Sequence, residues 1–298
     1  MRKCVATVGT FDGVHVGHEA ILDKVAELAK EKDLLSRVIT FENHPLTVIN
    51  PDKAPKWAIQ RHQTENLLES YVDKVSLINF TKELSAMTAR EFMRLIRSRY
   101  NVDTLVMGYD NTFGSDRLQS PLDYEAAGRE EGINIVYVDP VIIDDKPASS
   151  SRLRKAIEIW DFPTVAQLVG APLYEGIVER GKQLGRKIGV PTMNIALPDD
   201  IIHIPDGVYA AMTYLDDYDD GSPSVLSVGS NPTVGGKAKT FELHVIGKKL
   251  GNLYGMPICF SVFEKIRDIK KFDSVMELKE AIKEDIRTAK RLFMNNIP

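Results

Sequence analysis

Along the first half of the chain, short β-branched runs alternate with stretches in which apolar residues recur every three or four positions. Cys4 to Val8, Arg37 to Phe41, Val75 to Phe80, Thr104 to Met107 and Ile133 to Val138 read as strands. Between them lie amphipathic helices. Ile21, Leu22, Val25, Leu28 and Ala29 share one face of a helix from His18 to about Lys32, and a second helix spans Ala89 to about Arg99. This strand-helix rhythm predicts a parallel sheet covered by helices.

After about residue 172 the rhythm changes to strands broken by turn residues. Tyr174 to Val178, Met193 to Ala196, Val208 to Leu215, Ser224 to Val228, Phe241 to Ile246 and Ile258 to Phe263 predict a six-stranded antiparallel barrel of Greek-key type. A terminal helix follows, opened by Ser274 with Glu277 three residues on, and Leu278, Ile282, Ile286, Ala289 and Phe293 form the side that packs on the barrel. The expected domains are 1–155 and 173–298, joined by a helical segment at 156–172. Asp216 to Asp220 lacks EF-hand spacing and reads as a solvated hairpin tip.

The length of 298 residues agrees with two domains. With 38 Lys+Arg against 42 Asp+Glu, the chain has no basic surplus for duplex nucleic acid. Its longest apolar runs fall short of the ~20 residues of a membrane helix, and the N-terminus lacks a signal peptide's apolar region. The expectation is a cytoplasmic protein, monomeric or weakly homo-oligomeric, with no membrane or nucleic-acid partner. Cys4 and Cys259 read as buried small hydrophobes.

Chemistry concentrates first in the turn between strand one and helix one, Gly9-Thr10-Phe11-Asp12-Gly13-Val14-His15-Val16-Gly17-His18. In an open parallel sheet ligands bind at such a turn, where a helix N-terminus offers unpaired N–H groups to phosphate. His15 and His18 can donate hydrogen bonds to phosphate oxygens as charge develops. The turn lacks the Gly-Lys-Ser/Thr of a Walker loop, and no further ligands of suitable spacing support a zinc site.

This segment resembles the HxGH class of nucleotidyltransferases, and its longer form is similar to the adenylyltransferase half of bacterial bifunctional riboflavin kinase/FAD synthetases. The resemblance implies a Rossmann-like domain in which His15 and His18 act on ATP phosphates, with Gly9, Thr10, Phe11, Asp12, Gly13 and Gly17 around the nucleotide. Ser149-Ser150-Ser151-Arg152-Leu153-Arg154 is similar to a family motif in which hydroxyls and an arginine grip the triphosphate; it implies ATP contacts for Ser150 and Ser151 and a catalytic role for Arg152. Serines at a helix start equally serve as caps. Phe41-Glu42-Asn43-His44-Pro45 matches the segment after the second strand, placing Asn43 by the flavin. In Gly108-Tyr109-Asp110-Asn111-Thr112-Phe113-Gly114, Asp110 is retained as a flavin contact, but Asn111 stands where the family carries an aromatic residue.

The barrel half carries Gly181-Lys182-Gln183-Leu184-Gly185-Arg186-Lys187-Ile188-Gly189-Val190-Pro191-Thr192-Met193-Asn194. A loop of glycines and cations can wrap phosphates, and Thr192 and Asn194 offer neutral oxygens to Mg²⁺; a plain turn is the alternative. The segment is similar to the riboflavin kinase signature. The resemblance implies that Gly181, Gly185, Arg186, Gly189 and Pro191 hold ATP and that Thr192 and Asn194 bind the metal. It makes Glu242, in Phe241-Glu242-Leu243-His244-Val245, the catalytic glutamate that accepts or orients the hydroxyl proton and places Arg267 at the flavin edge; otherwise these two are a strand carboxylate and a surface charge.

The implied activity is bifunctional: riboflavin and ATP give FMN and ADP, then FMN and a second ATP give FAD and pyrophosphate, with Mg²⁺ as the cofactor. Two alternatives stay open. One is a single-activity riboflavin kinase whose adenylyltransferase site has drifted at Asn111; the other is a non-catalytic flavin-binding regulator.

Overall fold

The central strand of the first unit, β1 (Cys4–Val8), is buried along its whole length, so it is apolar on both faces rather than alternating. In this computed structural model it lies in a parallel sheet with β2 (Leu35–Phe41), β3 (Lys74–Ile78), β4 (Val102–Gly108) and β5 (Asn134–Val138), in the order β3-β2-β1-β4-β5. Cys4, Ala6 and Val8 join a cluster with Phe92, Met93 and Ile96 of the helix Ala89–Tyr100. Val5 faces the other way, toward Leu22 and Val25 of the helix Val16–Glu31. The strand order reverses direction between β1 and β4, so the C-terminal ends of these two strands frame a crevice. A two-stranded hairpin, β6 (Ile142–Ile143) and β7 (Lys146–Pro147), follows β5. Its turn residues Asp144 and Asp145 both have positive φ, 49° and 58°, as a tight primed turn requires.

The structure describes all residues except 1, 182–184, 186–188, 216–219, 232–237 and 297–298. Arg186 and most of the acidic run 216–220 therefore lie outside the described residues. The chain divides into two compact units, Met1–Leu153 and Arg154–Pro298.

The second unit is a closed antiparallel barrel of β8 (Leu173–Glu179), β9 (Met193–Ala196), β10 (Gly207–Tyr214), β11 (Ser222–Asn231), β12 (Ala238–Val245) and β13 (Pro257–Arg267). Strand β9 sits between β8 and β12, and β13 closes the barrel onto β10. The terminal helix Val275–Asn296 packs as expected: Ala289 and Phe293 join Val208, Ala210 and Val225 in one cluster. Its cap is only half of the expected box. Ser274 Oγ accepts the Glu277 N–H at 3.2 Å, but the Glu277 carboxylate takes the N–H of Asp273. Cys4 is buried, whereas Cys259 is only half-buried, with Sγ 3.9 Å from Glu175 Oε2.

Candidate active sites

The turn after β1 is held in an unfavourable backbone shape. Phe11 and Val14 have φ of 51° and 39°, and Gly13 has φ of 88°. For a β-branched residue such as Val14 this region is a strained outlier, of the kind that persists only where surrounding contacts over-determine it. Those contacts are present. Asp12 Oδ1 accepts the Ala58 N–H at 2.8 Å, Ser150 Oγ donates to the Asp12 carbonyl at 2.9 Å, and any side chain at Gly13 would collide with Leu153. Asp12 is buried and Gly13 faces Leu153, and neither lines the cleft. In this structure both shape the loop, where the family resemblance implied contact with ATP.

The loop delivers His15 to the residue just before the helix Val16–Glu31 and His18 to its first turn. Their rings stack 3.7 Å apart at 18°. A Cβ on Gly17 would sit 3.1 Å from His15 Nδ1, so the glycine leaves room for this ring. Burial, reinforced by His15, pushes the His18 pKa well below its ordinary value. His18 Nδ1 is shielded from solvent with no partner among the described residues, and buried polar atoms left unpaired by the protein are met by ordered water, ions or ligands or serve a catalytic role.

Both histidines line a polar cleft of about 260 Å³ at the β1–β4 crevice, together with Gly9, Thr10, Phe11 and Gly17. Asp110 is exposed at its edge. Ser149 and Ser150 line it, whereas Ser151 does not. Ser149 also caps the helix Ser150–Ile159 by accepting the Arg152 N–H at 3.2 Å. Arg152 is likewise absent from the lining. Its Nη1 donates to the carbonyls of Ile143 (2.7 Å) and Lys146 (3.3 Å), and Nη2 lies 3.5 Å from Asp144, so the β6–β7 hairpin engages its guanidinium.

A second cavity of about 300 Å³ adjoins the cleft and is walled by Phe41, Phe80, Met87, Phe92 and Phe113. The two share Val8, Gly9, Thr10 and Asn111. Sequence reasoning missed this apolar chamber, although phenylalanines just at or beyond the ends of strands β2 and β3 signal it. Asn43 does not line it. Its amide brackets Phe80 instead, Nδ2 donating to the Phe80 carbonyl at 3.0 Å and Oδ1 accepting its N–H at 2.8 Å. Asn43 thus positions a wall residue.

In the barrel, Phe241, Leu243 and Val245 are buried while Glu242 and His244 take the alternate face. Thr192 Oγ1 donates to Glu242 Oε2 at 3.2 Å, and Glu242 pairs with Asn194 across β12 and β9. The Asn194 amide lies so close to Gly181 that a Cβ there would overlap it, and a Cβ on Gly185 would strike the Val190 carbonyl. Gly189 has φ of 83°, a left-handed turn. His244 was not singled out by its spacing, yet its Nδ1 lies 2.7 Å from the Pro191 carbonyl. A carbonyl only accepts, so Nδ1 carries the proton and the ring anchors the segment that ends in Thr192. A small cavity of about 60 Å³ opens beside Thr192, walled in part by Pro191, Lys248, Asn252 and Tyr254.

Arg267, expected at the flavin edge, is engaged by the protein's own groups. It makes a bidentate pair with the buried Asp285, at 2.8 and 2.7 Å, and Nη1 donates to the Asp268 carbonyl. It thereby ties β13 to the terminal helix.

Comparison with known proteins agrees with this two-part geometry. Residues 1–152 match the FAD synthetase family and residues 171–293 the riboflavin kinase family. A bifunctional riboflavin kinase/FMN adenylyltransferase of Pseudomonas fluorescens is 33% identical, over 98% of this chain and 93% of its own. The protein of that name in Escherichia coli (strain K12) is 34% identical, over 97% and 93%. A crystal structure described as a macrolide-efflux protein from Streptococcus pneumoniae superimposes with a TM-score of 0.88 at 29% identity, covering 97% of this chain and 94% of that one. Among the described residues here, no helix is long and apolar enough to cross a membrane. The chain belongs to the bifunctional riboflavin kinase/FMN adenylyltransferase family.

Proposed function

We propose that each unit carries one of the two activities of this bifunctional enzyme, which phosphorylates riboflavin to FMN and adenylylates FMN to FAD. In the first unit, an FMN phosphate oxygen attacks the α-phosphorus of ATP, the α–β P–O bond breaks and pyrophosphate leaves. His15 and His18, as hydrogen-bond donors, stabilise negative charge on the oxygens of the transferring phosphoryl group, while Gly9, Thr10, Ser149 and Ser150 hold the phosphates. The flavin ring occupies the phenylalanine-walled chamber. The observation that carries this assignment is the junction of a histidine-lined polar cleft with an aromatic chamber across Val8, Gly9 and Thr10.

In the second unit, the ribityl terminal hydroxyl attacks the γ-phosphorus, its proton passes to Glu242 and ADP leaves. The Thr192–Glu242 contact and the Asn194 pairing support this role. Thr192 and Asn194 beside Glu242 form an all-oxygen donor set that suits Mg²⁺. That ion, when bound, neutralises phosphate charge. Gly181, Gly185, Gly189 and Pro191 shape the phosphate loop, with Arg186 as its cation. Riboflavin, FMN and ATP are the small-molecule partners, and we place this ATP-consuming enzyme in the cytoplasm.

The experiment separates the sites. His18→Asn is expected to abolish FAD formation from supplied FMN and leave riboflavin phosphorylation near wild type. Glu242→Gln is expected to do the reverse, with a kinase loss of about 100-fold or more. Loss of both activities in either folded variant overturns the two-site assignment.

A further inference from the structure

Asn111 stands where the two chambers of the first unit meet. Its backbone N–H closes a turn onto the Gly108 carbonyl at 3.0 Å, and its side-chain Nδ2 donates to the Val8 carbonyl at 3.0 Å, bridging the ends of β4 and β1. Because a carbonyl only accepts, this contact settles which end of the amide faces Val8, so Oδ1 points away from it. That oxygen has no hydrogen-bond partner among the described residues and is not shielded from solvent. Of the four residues shared by the polar cleft and the aromatic chamber, only Thr10 and Asn111 have polar side chains.

This inference rests on the assignment of FMN to these chambers. With the flavin ring among phenylalanines and the phosphate beside His15 and His18, the hydroxylated ribityl chain must cross the seam between them. We propose that Asn111 Oδ1 accepts a hydrogen bond from a ribityl hydroxyl and makes this site selective for a flavin phosphate with a polyhydroxylated linker. An aromatic side chain at this position has no such acceptor. The departure at Asn111 is then a change in how the linker is recognised, and adenylyl transfer is retained.

The test compares FMN with a flavin phosphate bearing a plain pentyl linker, in the full-length wild type and in Asn111→Leu, with KM and kcat for adenylylation measured for each. Wild type is expected to prefer FMN, and Asn111→Leu to raise the KM for FMN about 3- to 10-fold, the range of one net hydrogen bond, with kcat little changed. The variant's preference between the two linkers should shrink by the same factor. A purely structural role would weaken both substrates equally and leave the preference intact, and that result overturns the proposal. Asn111→Phe, which installs the family's aromatic residue, is a second variant with the same expected loss of preference. If wild type forms no FAD from FMN and ATP, the assignment of the unit itself fails. If it forms FAD but both variants keep the wild-type preference, only the role of Asn111 fails.

Discussion

His18 shows how burial selects a protonation state. In the unfolded chain a histidine titrates near 6.5, while in the folded protein desolvation and the neighbouring His15 hold His18 well below that. Between the two values the unfolded chain binds a proton that the folded chain does not. Stability from this group is therefore full above about pH 6.5 and is lost as pH falls toward the depressed folded value, with a slope of at most about 1.4 kcal/mol per pH unit. Urea denaturation at pH 7.5 and pH 5 should show wild type losing more stability than His18→Asn; equal losses would refute the account of this site. A second expectation concerns Gly17. An added Cβ presses on His15 Nδ1, so Gly17→Ala should lower FAD formation about 10-fold or more and spare riboflavin phosphorylation, as separate assays would show. His15, Gly17 and His18 were legible in the sequence because they share one contiguous turn. The tasks of Asp12 and Arg152 were not, because their partners Ala58 and Ile143 come from separate elements that the spacing did not connect to them.

Strand interiors followed from their apolar runs, and the bounds of β1 and β9 agree to the residue, β1 lying between the cations Arg2 and Lys3 and Gly9, and β9 between Pro191 and Pro198. Strand ends were less legible. Strand β13 continues to Arg267 because pairing with β10 extends it past the last apolar residue of the run, Phe263, and no local pattern marks that. The β6–β7 hairpin escaped notice because two residues per strand are too few to show alternation, yet it determines where the Arg152 guanidinium points. The terminal helix was legible from its apolar stripe, but its ion pair to the barrel was not. Asp285 is 5% exposed at the side chain and Arg267 23%. Asp285→Ala should destabilise the barrel unit by about 2 to 3 kcal/mol in urea melts, less than for a wholly buried pair because Arg267 keeps some contact with water. FAD formation from supplied FMN should persist, and an unchanged melt would mean that the pair does not secure the helix.

At the scale of the whole molecule, a chain of net charge −4 handles anionic nucleotides and flavins. Local donors and a helix N-terminus, rather than net charge, provide for this in the proposed sites. The two-part organisation was legible because the hydrophobic period changes near residue 172. The chamber walled by Phe41, Phe80, Phe92 and Phe113 was not, since it assembles from four separate segments of the chain. The central claim is that one chain performs two ATP-dependent steps in series. The most direct measurement supplies wild type with riboflavin, ATP and Mg²⁺ and follows FMN, FAD, ADP and pyrophosphate together. The account predicts FMN first and FAD after it, with one ADP per riboflavin consumed and one pyrophosphate per FAD formed. ADP without pyrophosphate, or flavin binding without ATP turnover, would contradict it.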